Sequence, residues 1–171
     1  MSDDKNAMVQ YLSFKLDNNT FAFNVLKTRE VLSFTKITPI PCTPPYVAGV
    51  LNLRGSVVSV IDLRLKFGMK GAEITPDTAI IIVETTLGND TVVLGALVDA
   101  VKGVLRFEAD QIEPPPKIGI KLNLDLINGI GKRNDDFVII LNIDKVFSEE
   151  EITLIKETID SSNIKSDEIT E

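Results

Sequence analysis

Residues 46 to 64 restrict the fold more than any other stretch of this chain. Val47 to Leu53 and Val57 to Ile61 are two apolar, valine-rich runs, and the short corner between them carries Arg54 and Gly55. Apolar runs of strand length on either side of a glycine-containing corner are the pattern of a β-hairpin. Gly55 supplies the positive φ that such a corner needs. The same corner lifts one arginine out of an otherwise apolar segment.

The rest of the chain repeats this style. Val9 to Leu16 alternates as a strand, Asp17-Asn18-Asn19 is a turn cluster, and Thr20 to Val25 resumes with Phe21, Phe23 and Val25 on one face. Arg29 to Phe34 continues in extended form. Pro39, Pro41, Pro44 and Pro45 then exclude regular helix from the next connection. Leu63 to Phe67 fits a single helical turn capped by Asp62, and Gly68 and Gly71 end the unit. Thr78 to Thr86, Val92 to Leu97, Val101 to Phe107 and Phe137 to Ile143 are further strands, with a second proline connection at Pro114-Pro115-Pro116. Ser148-Glu149-Glu150-Glu151 is a capping box, and Ile152, Ile155 and Ile159 share one face of the helix that follows. Residues 1–7 are expected to fray and 161–171 to form a flexible polar tail.

Four blocks recur in order. Residues 25–32 parallel 98–105, Ile37-Thr38-Pro39 parallels Ile112-Glu113-Pro114, Gly49-Val50 parallels Gly129-Ile130, and 58–63 parallel 138–143, with Phe67 matching Phe147. The expectation is an all-β chain of two similar small units side by side. Their groove is a natural binding place. The boundaries expected are 8–70 for the first barrel, 76–147 for the second and 148–160 for the C-terminal helix, within one domain spanning 1–171.

Composition narrows the function. The chain has 171 residues, no histidine, no tryptophan and one cysteine, with 25 acidic against 18 basic residues and a net charge of −7. A nucleic-acid binder needs basic excess to displace phosphate counterions, so nucleic acid is not an expected partner. No apolar run approaches the length that spans a bilayer, so direct membrane insertion is not expected and a cytoplasmic location is. Cys42 is expected to be a small buried or half-buried apolar residue, because nothing like a histidine is present to activate it. Asp62 and Asp99 have no histidine and no nearby second carboxylate, which makes structural roles the better expectation. Gly129-Ile130-Gly131-Lys132 lacks the spacing and the following Ser/Thr of a phosphate loop. No enzymatic activity, metal or cofactor is expected. The competing idea, a small hydrolytic or ligand-binding barrel, would need a polar pocket with convergent titratable groups.

Arg54 has two readings from its surroundings: a solvated turn arginine, or a guanidinium fork aimed at a partner carboxylate. Gly49 fits either close backbone approach or a neutral bulge. Thr28, Arg29 and Glu30 fit an exposed polar edge or the polar rim of an interface. Val98, Val101 and Val104 fit the core, or a docking stripe if exposed.

Asn52-Leu53-Arg54-Gly55, within a nearly continuous match from Pro45 to Phe67, resembles the CheW family of bacterial chemotaxis coupling proteins. The resemblance extends to Val25-Leu26-Lys27, Glu30-Val31, Leu97 to Val101, Val104-Leu105, Gln111-Ile112, Ile127 to Gly131 and Phe137 to Val146. It implies two SH3-like five-stranded β-barrel subdomains with short helical turns and a C-terminal α-helix. It implies a non-catalytic adaptor between methyl-accepting chemoreceptors and the regulatory domain of the histidine kinase CheA, recruited to membrane-associated receptor arrays, with other CheW copies as further ring partners. The receptor-binding positions carried over are Thr28, Glu30, Gly49, Arg54, Val101 and Val104; the kinase-binding positions are Val31, Glu113 and Ile118. Thr28 replaces an aliphatic residue of relatives, and Glu113 replaces a basic residue of some. An adaptor of the same fold in a non-flagellar chemosensory-like pathway is the alternative within the resemblance.

Overall fold

The computed structural model describes residues 8–115, 124–133 and 135–161. The expectations for residues 1–7, Pro116, Ile118 and 162–171 fall outside that range. Two sheets hold nearly all of the fold. The first contains, in spatial order, β8 (Ala100–Glu108), β1 (Met8–Leu16), β2 (Asn19–Asn24), β11 (Asp136–Leu141), β10 (Ile127–Arg133) and β9 (Ile112–Glu113). The second contains β3 (Thr28–Ser33), β6 (Ala79–Leu87), β7 (Asp90–Val98), β5 (Ser56–Asp62) and β4 (Val47–Leu53). The all-β expectation with two β subdomains holds.

Each sheet is rolled up by its own chain. After β3 leaves one edge of the second sheet, Thr38 returns to the opposite edge, exchanging backbone hydrogen bonds with Val50 of β4 at 2.8 and 2.9 Å. After β8 leaves the edge of the first sheet, β9 returns to pair with β10. Joining the edges removes the open strand that would otherwise template aggregation.

The sheets do not follow the contiguous halves 8–70 and 76–147. β1 and β2 pair with β8 and β11, whereas β6 and β7 pair with β3 and β5. One barrel is therefore the continuous stretch 28–98, and the other joins 8–24 to 100–141. The physical reason lies in which strands are apolar on both faces. Ala79 to Val83 is buried throughout, and so is most of β1; such strands need neighbours on each edge and cover on each face. Each takes an interior place, between its own hairpin partner and a strand distant in sequence. The chain crosses between barrels at a 3-10 turn, Val25–Lys27, and at the single residue Asp99.

The repeat seen in the sequence is a repeat in space. β5 runs parallel to β7 with Val60 opposite Gly95, and β11 runs parallel to β2 with Ile140 opposite Ala22. The register slips at Gly49 on β4 and at Gly129 on β10. It slips again across Arg29 on β3 and Lys102 on β8. Each unit ends in a helical turn: α1 (Leu63–Lys66), capped by Asp62, and α2 (Ile143–Val146), capped by Asn142. The expected strand from Phe137 to Ile143 stops short because Asn142 captures the Asp144 amide and starts that turn.

Three of the four apolar clusters among the described residues follow from two-faced strands. Tyr11, Ala22, Phe107, Val138 and Ile140 fill one barrel. Leu51, Val58, Val60, Ile80 and Ile82 fill the other. The alternate residues of the same strands, among them Phe14, Phe21, Phe23, Ile81, Val83 and Leu94, form the largest cluster, between the barrels. Helix α3 (Glu149–Ser161) seals that cluster with Ile152 and Ile155. Its capping box is formed: Ser148 Oγ accepts from the Glu151 amide at 3.3 Å, and the Ser148 amide donates to Glu151 Oε1 at 3.4 Å.

Candidate functional site

The β4–β5 hairpin turns through Arg54 and Gly55, with φ of +52° and +89°. Positive φ at both central residues suits the right-handed twist of a two-residue hairpin. The Gly55 amide donates to Asn52 Oδ1 at 2.7 Å, which fixes the corner. Arg54 is thus held in a backbone region that a side chain disfavours, at a cost of about 1–2 kcal/mol. Its side chain is 70% exposed and forms an ion pair with Glu30 on β3. Beside it on β3, Arg29 Nε meets Glu84 Oε2 at 2.6 Å. Arg29, Arg54 and Val57 line a groove of about 590 Å³ together with Ile152, Ile155 and Lys156 of α3.

The structure brings Glu30 and Arg54 together and distributes the other candidates. Thr28 is half-buried and its hydroxyl donates to the Val25 carbonyl at 2.9 Å, so it closes the chain crossing. Gly49 is buried; a Cβ there would stand 2.2 Å from the Thr38 carbonyl oxygen. Close backbone approach, beside a bulge, therefore explains Gly49. Val101 is half-buried and packs on the central cluster, and Val98 is buried. Val104 and Val31 are exposed, at 53% and 42%. By the internal repeat Thr28 matches Val101 and Val31 matches Val104, so the positions expected for two different partners include equivalent points on the two barrels. Glu113 is exposed and pairs with Lys132 at 2.6 Å.

The remaining charged clusters hold the assembly together. Arg64 of α1 grips Asp99 in bidentate fashion, Nε to Oδ1 at 2.8 Å and Nη2 to Oδ2 at 2.7 Å. The Asp17 amide in the β1–β2 turn donates to the same carboxylate at 2.7 Å. Burial alone pushes the Asp99 carboxyl up, but the Arg64 guanidinium and the Asp17 amide hold it below the ordinary aspartate value. Lys66 of α1 pairs with Glu151 of α3 and lies over the Tyr46 ring, 4.6 Å from its centroid. Tyr46 Oη donates to Glu151 Oε2 at 3.1 Å. Burial first, then the Glu151 charge, pushes the Tyr46 phenol up to about 12. Glu151 is opposed by burial, yet Lys66 and Tyr46 hold it below the usual glutamate value.

Asp62 and Asp99 therefore have structural partners: Asp62 Oδ1 accepts from the Leu65 amide at 3.3 Å, and Asp99 anchors Arg64. Gly129-Ile130-Gly131-Lys132 lies within strand β10. Cys42 is exposed, not buried as expected, because it occupies a proline-bounded turn at φ +66°. The sequence marks Glu151 only as a helix cap and does not single out Glu84, Lys66 or Tyr46, since only the strand register and the docking of α3 reveal these partners.

Two barrels sharing one core, with ion-paired arginines edging an open groove on one of them, define a double-barrel β module. The family model that matches is the CheW-like domain, over residues 10–151, and the chain belongs to the CheW family. It is 34% identical over 146 residues to the chemotaxis protein CheW of Klebsiella aerogenes, covering 85% of this chain and 86% of that one. It is 35% identical over 148 residues to that of Thermotoga maritima, covering 85% and 90%. Among solved structures, the scaffolding protein TtCheW of Thermoanaerobacter tengcongensis superimposes with a TM-score of 0.75 at 32% identity, covering 85% of this chain and 96% of that one. Protein FrzA of Myxococcus xanthus is 34% identical over 119 residues, covering 68% and 71%.

Proposed function

We propose that this protein is a chemotaxis adaptor that couples methyl-accepting chemoreceptors to the histidine kinase CheA without catalysing a reaction. Family membership across residues 10–151 is the observation that carries the reading. The exposed Arg54 corner beside an open groove supports it, because a guanidinium fork suits a partner carboxylate. Val31 and Val104, exposed on matching edge strands, supply apolar contact on each barrel. Two weak faces on one rigid body connect receptor to kinase through effective concentration. A receptor rearrangement passes its signal only if it changes the relative free energy of kinase-on and kinase-off assemblies.

The test is reconstitution with the kinase and receptor cytoplasmic fragments. Kinase activity should come under receptor control only when this chain is added. Arg54→Glu should lower receptor capture about tenfold, the scale of a charge-assisted contact, while the fold persists because the corner is exposed. The swap Glu30→Arg with Arg54→Glu restores the internal pair. If the swap restored receptor capture, Arg54 would act through Glu30 and not by touching the receptor. The similarity to FrzA supports the second reading, an adaptor of the same fold in a non-flagellar pathway; the cognate receptor and kinase recovered with the protein separate the two.

A further inference from the structure

The internal repeat places a second hollow on the other barrel, at positions equivalent to the Arg54 groove. Its volume is about 250 Å³ and its edges include Lys15, Lys102, Arg133, Asp136 and Phe137. The equivalences come from register. Arg29 is the bulged residue between Thr28, opposite Val83, and Glu30, opposite Ile82. Lys102 is the bulged residue between Val101, opposite Phe14, and Gly103, opposite Ser13. Lys102 therefore stands where the first barrel has Arg29, and Lys15 stands where it has Glu84. The hairpins match likewise, since Leu53 faces Ser56 as Arg133 faces Asp136, and Asn52 faces Val57 as Lys132 faces Phe137.

The two hollows differ in charge and in cover. In the first, Arg29 and Arg54 are paired with Glu84 and Glu30, and α3 lines it with Ile152, Ile155 and Lys156. In the second, the Arg–Glu pair is replaced by two lysines, and Arg133 adds a third cation. Among the described residues Lys15, Lys102 and Arg133 have no ion-pair partner; Lys15 makes a 3.5 Å bond to the Asn18 carbonyl. Asp136 is the single acid among the described residues that line it, in a chain whose net charge is −7. Phe137, in the place of half-buried Val57, is 60% exposed.

We infer that this second hollow docks an acidic amphipathic helix of a partner protein, with an apolar side chain set on Phe137 and carboxylates meeting Lys15, Lys102 and Arg133. The repeat supplies the form of the occupant, because the first hollow is walled by a helix. The cations supply its charge. The site does not include Arg54, so it stands or falls separately from the receptor contact proposed above.

The test uses the full chain and a fluorescein-labelled peptide copying residues 148–161, whose Ile152, Ile155 and Ile159 lie on one face and whose five acids outweigh one lysine. The expected result is saturable binding, with amide chemical-shift changes centred on Lys15, Lys102, Arg133 and Phe137. Lys102→Glu with Arg133→Glu should weaken it about tenfold, the loss of two exposed ion pairs. Added salt should weaken it as well. Phe137→Ser, which removes only the apolar anchor, should weaken it with little salt dependence of the loss, and thermal melts report that each variant folds. Absence of saturation up to about 1 mM, the weakest affinity class a docking site would show, overturns the inference. Unchanged affinity in both variants does so too, as do shifts confined to the Arg54 groove. Capture of phosphatidylglycerol vesicles in place of the peptide would make the hollow a lipid-facing surface and would equally refute it.

Discussion

Removing the Asp99 carboxylate should loosen the junction between the barrels. Asp99 is the single residue between β7 and β8, where the chain passes from one barrel to the other. Its side chain is 26% exposed and that of Arg64 is 17% exposed. Breaking a fully buried pair costs about 3–5 kcal/mol because a charge is stranded, whereas an exposed pair contributes about 0–1 kcal/mol. The partial burial and bidentate geometry place Asp99→Ala between these, at about 2 kcal/mol. At this chain length that lowers the melting temperature by about 4–8 °C. The assay is urea unfolding of Asp99→Ala, Arg64→Met and the double variant. The cycle should give a coupling energy of about 1–2 kcal/mol, with the double variant more stable than the sum of the singles predicts. The pH dependence carries the same information. Asp99 lies below its ordinary value of 3.8 when folded, so its contribution is intact above that pH and is lost as pH falls through the lower folded value. A coupling below about 0.5 kcal/mol, the range of independent sites, would refute the idea that this pair holds the junction.

Other outcomes follow from named contacts. Gly49→Ala should cost more than about 2 kcal/mol, because the new Cβ would meet the Thr38 backbone and the φ is +144°; Gly55→Ala, with nothing within 4 Å, should cost only the strain of its positive φ, as paired thermal melts would show. Glu151→Gln should flatten part of the acid limb of the stability curve. The depressed Glu151 stabilises the fold above its ordinary value of 4.5, and that contribution fades as pH falls through the lower folded value. The same variant should bring the Tyr46 phenol down from about 12, followed by ultraviolet titration against a Tyr11→Phe background. Ile155→Ala should destabilise by about 2–4 kcal/mol in urea, since the side chain seals the inter-barrel cluster.

Local structure was legible wherever a residue's role depends on near neighbours. The hairpin at Arg54-Gly55, the Asp62 cap and the Ser148 capping box are decided within four residues, and each forms as its side chains dictate. The repeat was legible too, because Gly49 and Gly129 meet the same steric demand in both copies. Sheet membership was not legible from periodicity. Ala79 to Val83 is apolar at every position, and a strand without alternation does not say which face or neighbour it takes. The candidate groove was legible at Arg54 and not at Glu84 or α3, whose contributions arise from long-range pairing. The contrast between Glu84 and Lys15 needed the register of both sheets, since the two residues lie in segments with no visible sequence likeness. Cys42 was misplaced because burial statistics for cysteine say nothing about a proline-bounded turn.

Because β1 and β2 trade places with β6 and β7, cutting the gene midway between its repeats would leave two fragments, each missing the centre of its own sheet. The piece that can be lifted out intact is 28–98, whose strands all pair among themselves. What remains, 8–24 and 100–141, would need only a short artificial loop from Asn24 to Ala100 to become continuous. Such minimal halves would each expose a large greasy face, the one they now press against each other, and would stay in solution only as a reunited pair.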